Sequence, residues 1–352
     1  MQSPFSICVR RIVFSSKIPS NNLTSGYALG FALLVGYFAP MPLAQAQDGM
    51  LGVVAPTEAE EQSVASWDDP LSGSRINFSL GLRQDDFNWH IAGSNGTPNV
   101  LSELTWRGMD IGLGQFSGEM RIGKVLLFGE LAMGTIVDGE SQDSDFRGNN
   151  RTLEFSRSTS DAGGDVFDGS IGVGIPFWYF YPSADGVAVL TPLFGLAGNY
   201  QDLKMTNGVQ RIPADGPFPV ALNSSYEATW EGPWLGLRGE FYNAKRLLTQ
   251  VQWEYHFEVE YDAVANWNLR SDFQHPVSFR HAAEAQGHRL IVSVRYVTLP
   301  RTEFFVSLDG HWYFTDNGTD ITYFSDGGTS RLQLNRAEWD SIGINFGVAT
   351  HY

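Results

Sequence analysis

Cysteine is almost missing from this 352-residue chain; the one present, Cys8, lies near the amino terminus. A disulfide framework or a thiolate zinc site is therefore not open to it. Basic residues are scarce as well, 23 Lys+Arg against 39 Asp+Glu, for a formal charge of −16. That balance argues against nucleic acid or any other polyanion as partner, and it leaves cationic peptides and divalent cations attractive. Past residue 46 no stretch approaches 18 unbroken apolar residues, so no helix of this sequence is built to cross a bilayer. Gly-x-Ser-x-Gly, His-Glu-x-x-His and phosphate-loop patterns are absent, and the common hydrolase and nucleotide readings gain nothing. No metal and no cofactor is expected.

What is abundant is glycine, 38 residues, and aromatics, 13% of the chain with 10 Trp. They recur in short alternating runs. From Leu247 to Tyr261 the odd positions carry Trp253, Tyr255, Phe257 and Val259, and the even ones Gln250, Gln252, Glu254, His256 and Glu258. One face suits lipid and the other water or a polar network. The last residues repeat the pattern, with Ile342, Ile344, Phe346, Val348 and Tyr352 on one face and Ser341, Gly343, Asn345 and His351 on the other. A terminal alternating strand ending in an aromatic residue is what a barrel needs to close on its first strand.

The amino terminus predicts export. Arg10, Arg11 and Lys17 form a basic region, Tyr27 to Ala39 an apolar one, and Ala44-Gln45-Ala46 a small-x-small cleavage site. Residues 1–46 read as a signal peptide and 47–74, with Glu58, Glu60, Glu61, Asp68 and Asp69, as a flexible acidic periplasmic leader. Losing the three basic residues of the signal shifts the formal charge from −16 to −19.

Residues 75–352 then read as an all-β, transmembrane, antiparallel up-and-down β-barrel. The first strand alternates Ile76/Phe78/Leu80/Leu82 with Asn77/Ser79/Gly81/Arg83. Others fall near 100–118, 121–137, 165–182, 187–206, 226–243, 247–261, 289–296 and 303–314, which with the last makes about ten, an even number as bacterial barrels require. Short turns at 183–186, 243–246 and 299–302 alternate with long polar stretches at 138–164, 207–225, 262–287 and 317–332. Short turns belong to the periplasmic side and long connections outside. The expected location is the outer membrane of a Gram-negative bacterium.

Several segments resemble the omptin family, ten-stranded outer-membrane barrels best known as surface proteases. Leu101-Ser-Glu-Leu-Thr-Trp106-Arg107 is similar to the family's second strand, Gly195 to Lys204 to its fifth, Trp230 to Gly239 to its sixth, and Tyr296 to Pro300 to the turn after its eighth. The resemblance spans residues 75–352 and is architectural, so it bears on fold more than on activity.

The resemblance implies two facing walls at the barrel mouth, two aspartates on one and an Asp–His pair on the other. Asp143 and Asp145 match the aspartate wall, with Asp138 and Glu140 as the alternative pair; the bland reading is an acidic surface loop. The other wall departs from the family. Val264 or Ala265 stands where the carboxylate belongs and Asn266 or Trp267 where the His belongs, and none of these can act as a general base. His275 and His281, in the same stretch, are the candidate substitutes for the missing imidazole. His256, Arg289, Arg295, Asp309 and His311 face the interior and read as a polar plug. Tyr200, Asp202 and Lys204 share the outward parity of Leu190, Phe194 and Leu196 and resemble the family's lipid A contact, although an interfacial aromatic belt explains them equally well.

The expectation is thus an omptin-like outer-membrane barrel that lacks the protease dyad, whose acidic extracellular mouth binds cationic ligands. Lipopolysaccharide is expected as a structural or activating lipid and cationic peptides as partners. A divergent aspartate endopeptidase and a passive channel are the alternatives.

Overall fold

The structure is a computed structural model that describes residues 73–183, 186–243, 246–299 and 301–351. The segments expected as signal peptide (with Cys8) and as leader (all but Gly73 and Ser74), and Tyr352, lie outside the described residues. Helix content among them is one 3-10 turn, Ser94–Gly96. Everything else of substance is strand, because the period-two patterning leaves no 3.6-residue apolar stripe to bury.

The strands are β1 (Arg75–Ile91), β2 (Ser102–Ile122), β3 (Val125–Gly148), β4 (Thr152–Gly174), β5 (Trp178–Ser183), β6 (Gly186–Ile212), β7 (Gly216–Pro217), β8 (Ser224–Asn243), β9 (Leu247–Asn266), β10 (Phe279–Leu299), β11 (Thr302–Thr315), β12 (Gly318–Tyr323) and β13 (Thr329–His351). Each pairs antiparallel with its neighbours, and β1 pairs β13 from Arg75↔His351 to Ile91↔Leu334. The ring therefore closes. β5 continues β4 along β6, and β12 continues β11 between β10 and β13, so ten positions go round the barrel. This is the omptin-like architecture that the sequence predicts.

The polar stretches expected as long loops are mostly strand. β3 and β4 run on to a tight turn at 149–151, so 138–164 is a protruding hairpin, and β13 begins at Thr329. Above the membrane both faces of a strand meet water, and the alternation that marks the spanning part is lost there. Since about 9–11 residues cross the bilayer, β3 with 24 and β6 with 27 residues stand well above it.

The outer face carries exposed apolar side chains, among them Phe78, Leu80, Leu82, Phe116, Leu131, Ile171, Phe194, Leu237, Trp253, Phe304 and Phe346. Such a surface is stable only in lipid. The lumen holds two layers. Below, Arg75 and Arg238 bind Glu119 at 2.8 and 3.1 Å, Arg121 binds Glu240 at 3.0 Å, and Arg289 joins Glu130 to Asp309. His256 meets Glu254 at 3.1 Å and His311 meets Asp309 at 3.3 Å. The polar plug expected from His256, Arg289, Arg295, Asp309 and His311 is present. Glu258, read as a lumen residue, instead sits at a bulge with φ +49 and is exposed. Above, Phe87, Trp89, Trp106, Tyr226, Trp230, Tyr261, Tyr313 and Trp339 fill the bore, all fully or nearly buried. Phe87 meets Trp106 edge-on at 5.6 Å and Tyr313 stacks on Trp339 at 5.2 Å. Two cavities left in the lower lumen measure only about 70 and 20 Å³.

A lumen so filled should not conduct. Reconstituted in a planar bilayer, the barrel is expected to give no steady single-channel steps; porin-sized current would show that both layers open.

Candidate functional site at the barrel mouth

Asp143 and Asp145 reach the lumen because of paired bulges. Along β3, Leu131, Met133 and Val137 point outward, and Asp143 shares their parity. The register slips at Gly108 in β2 and at Gly139 in β3. Gly139 has φ +154, and a Cβ there would lie 3.1 Å from Met109, so only glycine fits the kink. Beyond it, Ser141 pairs Trp106, Asp143 pairs Leu104 and Asp145 pairs Ser102. Trp106 and Leu104 are wholly buried in the lumen cluster, so their cross-strand partners face inward with them. Asp138 and Glu140, the alternative pair, lie at the slip itself and are exposed; Asp138 only caps the Gly139 N–H at 2.9 Å. They do not form a lumen pair.

The opposite wall behaves similarly. After the bulge at Glu258, Ala263 and Ala265 turn inward and are buried, while Asp262, Val264 and Asn266 face out. Asp262 is paired with Arg280. Trp267, first residue past β9, packs on Phe279 at 4.6 Å, and its indole is among the groups that favour the charged form of Asp143. The stretch where the resemblance implies an Asp–His pair presents the Ala263 and Ala265 methyl groups to the lumen and the Trp267 indole beside them.

Neither substitute imidazole completes a dyad. His275 is exposed, with Nδ1 2.7 Å from the Asn266 side-chain oxygen. His281, on β10, does have a carboxylate beside it, Asp320 Oδ1 at 3.2 Å from Nε2, a separation of ion-pair range without hydrogen-bond alignment. Its Nδ1 is 2.7 Å from the Tyr226 hydroxyl, itself 2.6 Å from that of Tyr261. Trp89 meets the ring edge-on at 4.8 Å, and His281 is 0% exposed. No face is left for a water to be activated. Asp320, Tyr226 and Tyr261 were not legible as a cluster; they come from three strands and no spacing links them.

Electrostatics set the aspartate pair apart. Burial and the neighbouring Asp145 charge push the Asp143 carboxyl up to about 7, against the Trp267 indole and the Arg270 charge. Burial also raises Asp145, against the Ser102 hydroxyl and Arg270. Arg270 belongs to the loop after β9; it pairs with Asp272 at 2.8 Å and lies 4.0 Å over the Phe273 ring. Among the described residues no three of His, Cys, Asp and Glu converge on a metal-sized site.

On the outer wall Tyr200, Asp202 and Lys204 face out as expected. Lys204 pairs with Asp202 at 2.9 Å and the Tyr200 hydroxyl donates to Glu227 at 3.0 Å. Asp165, Asp202 and Glu227 lie side by side on β4, β6 and β8. Lys204 thus sits beside three carboxylates, Asp202, Asp165 and Glu227.

Residues 77–352 match the sequence family described as Protochlamydia outer membrane protein. The structure is similar to that of the outer membrane protease OmpT from Escherichia coli, with TM-score 0.64 and 14% identity over 80% of this chain and 97% of that one. The translocator domain of the autotransporter NalP from Neisseria meningitidis follows at TM-score 0.32 and 11% identity, covering 84% and 95%. The Pseudomonas putida toluene transporter TodX reaches 0.26 and 7%, covering 82% and 92%. Only the first of these is close enough to bear on the fold. No curated protein matches the chain.

The raised carboxyls give the mouth a pH signature. Between the ordinary carboxylate range and about 7, Asp143 keeps a proton that a free carboxyl has lost. Negative charge therefore appears as the pH rises through about 7. Retention of a cationic peptide should strengthen from about pH 6 to about pH 8, and Asp143→Asn should flatten that profile in a fluorescence titration.

Proposed function

The chain belongs to the Protochlamydia outer membrane protein family, and from that premise we propose that it is a surface-binding barrel whose acidic mouth holds cationic ligands without cleaving them. The observation that carries this reading is the inward turn of Asp143 and Asp145 beside the buried Leu104 and Trp106, with Ala263 and Ala265 as the inward residues of the stretch across the mouth. A carboxylate pair faces the wall where a base would act, and that wall supplies an indole and the Ala265 methyl. Asp143 and Asp145 attract and orient a guanidinium or ammonium group, with Trp267 as an aromatic face beside it. Without a general base, a factor of about 10²–10⁴ in rate is lost, and hydrolysis falls toward background.

The endopeptidase alternative needs an imidazole open to water and facing the pair. His281 stands on a suitable strand, but Trp89, Tyr226 and Asp320 enclose it. The channel alternative needs a bore, and the aromatic layer fills it.

A second element of the proposal is a contact with lipid A on the outer wall through Tyr200, Asp202 and Lys204. Supporting it is the placement of an exposed cation and an interfacial phenol above an apolar strand. Asp165 and Glu227 beside Lys204 limit how well a phosphate is held, so the contact is weak.

Two measurements test these roles. Asp143→Asn/Asp145→Asn should abolish anisotropy changes of a labelled dibasic peptide at low salt, and rising salt should weaken binding to the parent; unchanged binding by the double variant would end the mouth reading. Lys204→Ala should lower lipid A co-purifying through detergent extraction by about two- to fivefold, in line with one exposed charge contact. Equal lipid A in variant and parent would remove the outer-wall site.

A further inference from the structure

The outer wall carries a hollow on the side of β2 to β8, and we propose that it holds one acyl chain of a lipid whose headgroup bears an ammonium group. This lipid site depends neither on the aspartates of the mouth nor on Lys204.

Two neighbouring rows of outward residues make the hollow. In the upper row Phe116, Leu131, Gly169, Gly198 and Glu231 stand side by side on β2, β3, β4, β6 and β8. In the lower row Gly118, Gly129, Ile171 and Leu196 do so on the first four of those strands. Two glycines are adjacent in each row, so the wall sinks between the exposed side chains of Phe116 and Leu131 and those of Ile171 and Leu196. The volume is about 760 Å³. Sites that hold a small molecule span about 300–1,000 Å³.

Backbone geometry does not require glycine here. Gly118 and Gly198 both lie outside the positive-φ region. A Cβ would meet the Arg75 carbonyl at 3.6 Å in the first and the Glu231 side chain at 3.6 Å in the second, both ordinary contacts. A side chain therefore fits at either position, and the hollow is not the by-product of a strained turn.

Charge marks one end of it. Glu231 lines the hollow and pairs across to Glu260 on β9, which pairs in turn to Glu284 on β10. All three are exposed. Like charges directly opposite one another in a ladder repel. The outward cations of the rows above, Lys204 and Arg280, are held by Asp202 and Asp262. Glu231 stands one outward position below the row of Tyr200 and Thr229, at the level where headgroups meet hydrocarbon. An ammonium group there offsets the carboxylate row, and a headgroup that is anionic overall is repelled by it. The chain below the headgroup runs from Glu231 across Gly198 and Gly169 and down one row to Gly129 and Gly118. Hydrocarbon surrounds the whole barrel and by itself favours no chain over another. Close contact in the hollow and the headgroup pairing supply the preference.

The test uses the full chain in nanodiscs of equal parts phosphatidylethanolamine and phosphatidylglycerol. A trace of phosphatidylethanolamine, phosphatidylglycerol or lipid A carries the same photoreactive acyl chain. Crosslinks should map to peptides spanning residues 169–171 and 196–198. They should be about two- to fivefold more frequent from the ethanolamine lipid than from either anionic one, the scale of one exposed charge contact. Gly198→Leu, which fills the hollow, should lower them by a similar factor while keeping the heat-modifiable gel shift of the parent. Glu231→Gln/Glu260→Gln should remove the headgroup preference and leave crosslinks from the glycerol lipid unchanged. This pair lies wholly on the surface and decides the question should the leucine variant not fold. Equal crosslinking by all three lipids, or a stronger signal from an anionic one, overturns the proposal. So do crosslinks that ignore Gly198→Leu in a folded barrel, or a headgroup preference that survives loss of both carboxylates. Barrel-to-barrel crosslinks through this wall would assign the hollow to a second copy and end the lipid reading.

Discussion

Every backbone N–H and C=O that meets lipid must find a partner within the protein, and the rest of this structure depends on that requirement. A sheet meets it only by closing. The β1–β13 ladder, unbroken from Arg75↔His351 to His90↔Arg336, is what makes a sheet with Phe78, Leu80, Phe346 and Val348 on its outside stable in a bilayer. Closure over ten positions then fixes a narrow bore. Inward positions have to be filled or watered, and here they are filled, by ion pairs below and rings above.

The interior charges depend on one another. Arg289 serves both Glu130 and Asp309, and Glu119 is shared by Arg75 and Arg238. Removing one member of such a set leaves a buried charge without its partner, at a cost of about 3–5 kcal/mol. The aromatic layer above is the boundary between this closed interior and the mouth. Everything chemically distinctive lies at or above it, where strands run past the membrane and bulges are tolerated because both faces of the sheet meet water.

Those bulges explain which parts were legible in the sequence. Wherever lipid touches the barrel, alternation is strict, and the strand order, the closure and the polar character of the lumen could be read directly. Glu254, His256, Arg289 and Asp309 were placed correctly for that reason. Above the membrane the same counting misled. Asp143 has the parity of Val137 and Met133, which face out, and it turns inward only because Gly108 and Gly139 each absorb a residue. Glu258 does the same on β9 and sends Tyr261, Ala263 and Ala265 into the bore. The stretch 138–164 looked like a loop because polar residues on both faces hide a strand. Contacts assembled from distant strands, such as Tyr226, His281 and Asp320, leave no local mark at all.

The likeness to a protease from Escherichia coli concerns architecture, at 14% identity. A barrel keeps its stability when its mouth residues change, since closure and lumen packing lie elsewhere. Here one wall carries Asp143 and Asp145 while the facing wall holds Ala265 and Trp267. The proposed function is therefore recognition of cations without catalysis. The most direct measurement is mass spectrometry of a dibasic peptide incubated with the barrel reconstituted in lipopolysaccharide. The account predicts that the peptide is recovered intact while bound; cleavage next to a basic residue, abolished by Asp143→Asn, would contradict it.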